Sequence, residues 1–155
     1  MGGDRLAAWG EELREVHRKL RQALAIARES IEDGVPNGRL SEDLLVYCRG
    51  FCAALSGHHE SENRSLFPRV VRARPDLKPV IEKLSQDHDA IDDLIGGLEH
   101  ALESGASVEE ALRRLDGVEA IMETHFRYEE RQLIDVLNAG VVDDADKIEL
   151  FGPIA

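Results

Sequence analysis

The sequence predicts an all-α protein, an antiparallel up-down four-helix bundle over residues 1–140 with a short C-terminal tail over 141–155 packed on it. Three observations carry that expectation. Apolar residues recur at helical spacing in four separate stretches, nothing alternates with period two as a half-buried strand would, and short connections join the stretches. Helices of this length with short connections pack antiparallel. With 155 residues the chain can bury a real hydrophobic core.

The first helix is expected from Arg5 to Asp33, with Leu13, Val16, Leu20, Leu24, Ala27 and Ile31 along one side and Gly34, Pro36 and Gly38 ending it. The second begins after Ser41 as N-cap, runs through Leu45, Cys48, Cys52, Leu55 and Leu66 to Pro68, and continues bent through Val70 and Val71. Asp76 and Pro79 open the third, which Gly105 stops just after Ser104. Ser107-Val108-Glu109-Glu110 reads as a capping box in which the serine accepts from the amide three residues on and Glu110 reaches back. The fourth helix then lasts to Asn138, with Gly140 as its stop. Of the remaining residues, Val141, Val142, Leu150 and Phe151 are expected to lie against the bundle.

A net charge of -12 repels phosphate backbones and anionic headgroups, so neither nucleic acid nor membrane is an expected partner. No apolar run approaches the roughly 18 residues of a membrane span. The first residues carry charge where a signal peptide has its apolar centre, which predicts a cytoplasmic protein. Cys48 and Cys52, four apart on one helix, are poorly placed for a disulfide and read as small buried apolar residues.

Several polar residues stand where apolar ones belong. Leu13, Leu20 and Leu24 flank His17 on the first helix, and Leu84, Ile91 and Ile95 flank His88 at the same offsets on the third. Helix two carries His58 and Glu62, and helix four carries His125 and Glu129, each pair four residues apart. A four-residue step leaves two side chains about 40° apart on neighbouring turns, so both reach one point in space. A lone histidine on an apolar stripe is more often a satisfied core residue, and one His-x-x-x-Glu is common by chance. The whole pattern occurring twice, as a weak internal repeat of roughly 70 residues, points to metal binding. Two buried carboxylates without a cation between them would cost several kcal/mol each. Four imidazoles and two carboxylates overfill one ion but suit two, with Glu62 and Glu129 placed to bridge and coordination positions left open, as in redox-active iron sites.

The order His17, His58-x-x-x-Glu62 followed by Leu66-Phe67-Pro68, His88, and His125-x-x-x-Glu129 resembles the hemerythrin-like proteins, or HHE cation-binding domains, over residues 10 to 138. The resemblance implies a bundle holding a non-heme centre of two iron ions with bridging oxo or hydroxo and carboxylate groups, which binds or reacts with O2, peroxide or nitric oxide. The oxygen-carrying pattern has a further histidine where this chain has Asp92, and a last carboxylate five residues after its histidine. The spacing here is instead similar to the actinobacterial, mycobacterial-type members. That similarity implies an oxidoreductase of nitric oxide peroxidase or scavenging type, supplied by an unidentified reductant; an oxygen- or iron-responsive sensor, or an O2-binding module without turnover, is the alternative.

Further ligands come into question. His59, about 100° round the helix from His58, reads first as a surface residue and second as a ligand or pocket residue. Tyr47, eleven residues before His58, reads first as a core tyrosine with its hydroxyl bonded and second as a phenolate ligand. Tyr128 and Asp92 are weaker candidates, and His100 reads as solvated. Leu13, Leu55, Leu84, Ile121 and Met122, one turn before the candidate ligands, and Leu20, Ile91 and Leu66 after them, would line a dry cavity or an ordinary core.

Overall fold

The computed structural model describes the backbone of residues 2–33, 42–140, 142 and 146–155, and the side chains of residues 9–33, 46–140, 142 and 146–155. The chain forms α1 (Gly2–Asp33), α2 (Glu42–Ser61), a π turn (Glu62–Leu66), α3 (Phe67–Ala73), a 3-10 turn (Pro75–Leu77), α4 (Lys78–Glu103), α5 (Val108–Asn138) and α6 (Lys147–Phe151). No strand occurs among the described residues.

Ion pairs and hydrogen bonds between helices fix their directions. Gly10 N donates to Asn138 Oδ1 near one end of α1, Arg21 pairs with Glu123, and Arg28 pairs with Asp116, so α1 and α5 run antiparallel. Asp87 meets His125, and a Cβ on Gly97 would meet Arg114, so α4 opposes α5 as well. Asn63, on the π turn just past α2, reaches His88, while Arg49 and Ala53 share a surface hollow with Glu99 and Leu102, so α2 opposes α4. It follows that α1 and α2, which pack together, are also antiparallel. The four long helices thus close a ring around one core that includes Leu13, Leu20, Leu55, Leu84, Leu115 and Phe126. Each such side chain stabilises the fold by roughly 1.5–3 kcal/mol on burial.

Local signals account for most boundaries. Ser107 Oγ accepts from Glu110 N at 3.1 Å, but the Glu110 carboxylate turns to Arg113 and Arg114 instead of reaching back, so half of the expected capping box forms. Gly105 and Gly140 take positive φ just beyond α4 and α5, where a side chain would be strained. At Pro68 the helix continues: Phe67 N bonds Glu62 O across a five-residue π turn, and α3 carries Val70 into the core. Proline has no amide with which to continue the i to i−4 ladder, so the geometry changes around it.

Cys48 and Cys52 are free and buried, and burial pushes their thiols up to about 11 and about 12, which leaves them inert. Val142, Leu150 and Phe151 are buried against the bundle. Ser41, Leu45 and Val141, and the Gly34-Pro36-Gly38 stop, lie outside the described residues or side chains. Among the described residues no helix is long and apolar enough to cross a membrane.

Candidate metal centre

Helical spacing delivers His17, His58, Glu62, His88, His125 and Glu129 to the middle of the bundle, each at most 1 % exposed. All four imidazoles face the centre with Nε2, because each Nδ1 is held from outside. His17 Nδ1 donates to Glu130 Oε2 at 2.9 Å and His58 Nδ1 to the Phe151 carbonyl at 2.8 Å. His88 Nδ1 donates to Asn63 Oδ1 at 2.8 Å and His125 Nδ1 to Asp87 Oδ2 at 3.0 Å. Outer partners of this kind fix ring orientation and tautomer, leaving a lone pair on the inner nitrogen. The pattern has a consequence at the 3.1 Å approach of His88 Nε2 to His125 Nε2. With both Nδ1 atoms donating, two neutral rings present two lone pairs to each other, an arrangement that a shared proton or a cation relieves.

The carboxylates span the two pairs of rings. Glu62 Oε1 lies 3.4 Å from His58 Nε2 and 3.2 Å from His88 Nε2. Glu129 places one oxygen 3.2 Å from His17 Nε2 and the other 3.3 Å from His125 Nε2. Each glutamate therefore touches one histidine of each half. All four of their oxygens, together with His17 Nε2 and His58 Nε2, are buried without a hydrogen-bond partner. Glu62 also opens the π turn, a distortion frequent at functional sites.

Protonation follows from the surroundings. Burial, reinforced by the charge of Glu129, holds Glu62 well above the ordinary carboxylate range. Burial acts the same way on Glu129, but the imidazoles of His125 and His17 beside its oxygens outweigh it and hold Glu129 well below that range. Burial and the neighbouring His17 push His58 down to about 4, and burial pushes His88 down to about 3. Both stay neutral, the form in which imidazole binds a metal. Burial would lower His125 too, but the adjacent Glu129 carboxylate and the bond to Asp87 raise it.

The two halves are related by an approximate twofold that reaches past the inner residues. Phe126, next after His125, stacks on His17 of the other half with ring centres 3.8 Å apart; His59, next after His58, stacks on His88 at the same 3.8 Å. Glu130, next after Glu129, holds His17, just as Asn63, next after Glu62, holds His88. His59 is thus no surface residue. It is 1 % exposed, with both ring nitrogens unpartnered, and burial holds it neutral. The donor atoms of His59, Glu62, His88 and His125 lie within 4.8 Å of one another, and so do those of His17, His58 and Glu129.

Tyr47 departs from expectation in the other direction. It is 52 % exposed at the surface of α2, neither in the core nor near the centre, because its position points outside the ring of helices. Ile121 is 38 % exposed and lies outside the core, while Leu13, Leu20, Leu55, Leu66, Leu84, Ile91 and Met122 are buried in it. Asp92 and His100 are exposed, and Tyr128, half-buried, carries Lys83 over its ring away from the centre. Helical spacing alone does not reach the outer anchors Glu130, Asn63, Asp87 and the Phe151 carbonyl. For Glu130 and Asn63 a signal exists, since each directly follows an inward glutamate.

Fold and site together define a helical bundle built to bind cations: buried, mutually repelling nitrogen and oxygen donors with their outer sides tied down. A mixed imidazole and carboxylate set suits transition metals over calcium or magnesium, which prefer oxygen alone. The chain belongs to the hemerythrin family, since residues 10–138 match the model of the hemerythrin HHE cation-binding domain. No curated protein and no solved structure gave a match.

Proposed function

We propose that this protein is a non-heme di-iron protein that binds and reacts with nitric oxide, peroxide or O2, acting as a peroxidase or scavenger of nitric oxide. The observation that carries the reading is the way each buried glutamate touches one histidine from each half, which suits a pair of ions better than one. His17 and His58 would hold the first ion, His88 and His125 the second with His59 beside them, and Glu62 and Glu129 would lie between. Iron bound there supplies one-electron redox change and exchangeable positions for a small oxidant.

The chain's own residues do the rest. Glu130, Asn63, Asp87 and the Phe151 carbonyl keep the Nε2 atoms aimed inward. Leu13, Leu55, Leu84 and Met122 exclude bulk water, which strengthens every polar interaction inside. A diatomic molecule or peroxide is small enough to reach such a site through ordinary fluctuations, whereas a larger substrate is not.

A sensor without turnover is the alternative reading, supported by the contact between His58 and the C-terminal segment, which gives a partner something to read. Iron analysis and absorption spectroscopy test both. The expected result is about two irons per chain and near-ultraviolet absorption that changes with peroxide or nitric oxide, with steady consumption lost in Glu62→Ala. Spectral change without consumption favours the sensor, and a colourless protein that takes up only zinc overturns both.

A further inference from the structure

Three of the four outer anchors are bundle side chains, whereas the fourth is a backbone carbonyl of the tail. His125, the counterpart of His58, takes its Nδ1 partner from Asp87 on α4. His58 takes its partner from Phe151, the last residue of α6. The final carbonyls of any helix lack intrahelical partners, so Phe151 O is free to accept and points at the ring.

The backbone is shaped for this contact. Gly152 follows at φ 93, and a Cβ there would lie 2.9 Å from Gly57 O and 3.1 Å from His58 Cα. Only glycine lets the tail lie directly on α2 at the residue before His58. Leu150 and Phe151 are fully buried, and the Phe151 ring sits 6.2 Å from both His58 and Trp9. Lys19 Nζ donates to Ile154 O at 3.2 Å, and Arg69 pairs with Glu149 at 2.9 Å.

We infer that the Phe151 carbonyl is a positioning group of the metal centre: by docking on α2, the tail keeps His58 with its proton on Nδ1 and its Nε2 free for the ion. This rests on the metal reading above and adds to it that tail docking and metal binding favour each other. Linkage makes the effect reciprocal, so whatever strengthens one strengthens the other by the same factor.

Cobalt(II) titration of the full chain tests the inference. In the wild-type protein loaded with cobalt, the Nδ1–H protons of His17, His58, His88 and His125 should be visible by their hyperfine shifts and slow to exchange because each is hydrogen-bonded. Gly152→Ala and, more strongly, Gly152→Val lift the carbonyl away. The expected result is an affinity lower by about 10- to 100-fold for one ion, the usual effect of losing an outer partner. One shifted N–H should exchange fast while the others stay slow. Arg113→Gln, which breaks only an exposed pair with Glu110 at the start of α5, should leave both readouts unchanged.

A further measurement needs no variant. Amide exchange in residues 147–155 of the wild-type protein should be slower with cobalt than after chelator. Equal affinity and equal N–H exchange in Gly152→Val, or tail exchange indifferent to cobalt, overturns the inference alone. Failure of the wild-type protein to take up cobalt overturns the metal reading beneath it.

Discussion

Replacing Glu62 by glutamine should change stability with opposite signs in the presence and absence of metal. The side chain is fully buried, both oxygens lack a hydrogen-bond partner, and the charge of Glu129 adds to the cost of ionisation. Without metal the folded chain must keep a proton on Glu62 that the unfolded chain has released. Holding that proton at pH 7 on a group of ordinary value 4.5 costs at most about 3.4 kcal/mol, at about 1.36 kcal/mol per pH unit. Glutamine keeps the shape and removes this cost. For a chain of this size about 3 kcal/mol corresponds to a melting temperature higher by about 6–12 °C in chelator.

If the proposed pair of ions is bound, the same substitution removes an oxygen donor that would lie between them. A 100-fold loss of affinity at each ion takes away about 2.7 kcal/mol per site when metal is in excess, about 5 kcal/mol for two. Thermal unfolding of both forms of both proteins, monitored by circular dichroism, gives the four numbers needed. If Glu62→Gln lowers the melting temperature equally with and without metal, the carboxylate is an ordinary packing residue and the reasoning fails.

Other outcomes follow from the same geometry. In chelator, His58 and His88, held down to about 4 and about 3, and His59, also held down by burial, make the unfolded chain bind three more protons as pH falls below 6.5, while Glu62, held up, makes the folded chain bind one more above 4.5. Unfolding thus takes up about two protons net from these groups, so stability should fall with acid by about 2.7 kcal/mol per unit between pH 6.5 and 4.5 in urea titrations, and a flat profile would contradict it. His59→Phe copies the Phe126 arrangement of the other half, so its metal-free melting temperature should not drop, while its cobalt spectrum should change if the imidazole donates; an unchanged spectrum removes His59 from the ligand set. Ser107→Ala should cost about 1 kcal/mol through the lost cap, with metal content unaffected.

Much of this was legible in the sequence because helical periodicity constrains side chains tightly. The offsets of Leu13, Leu20 and Leu24 around His17, and their repetition around His88, place two imidazoles inward, and the structure buries both. What periodicity could not supply was the direction of residues at the edge of the stripe. His59 and Tyr47 sit on one helix at different angles to its apolar face; α4 covers His59, while Tyr47 faces solvent. That depends on how neighbouring helices approach, which no single-helix pattern contains. The anchors are hidden for the same reason: Asp87 and Phe151 O lie 38 and 93 residues from the histidines they hold.

The approximate twofold gives the chain a built-in comparison. His59 and Phe126 fill equivalent seats, one ring of each kind per half. Exchanging them would transfer a single nitrogen-bearing ring across the axis while conserving composition and nearly conserving volume. Any difference in metal affinity between the two halves that followed the ring, and not the half, could then be assigned to that ring alone.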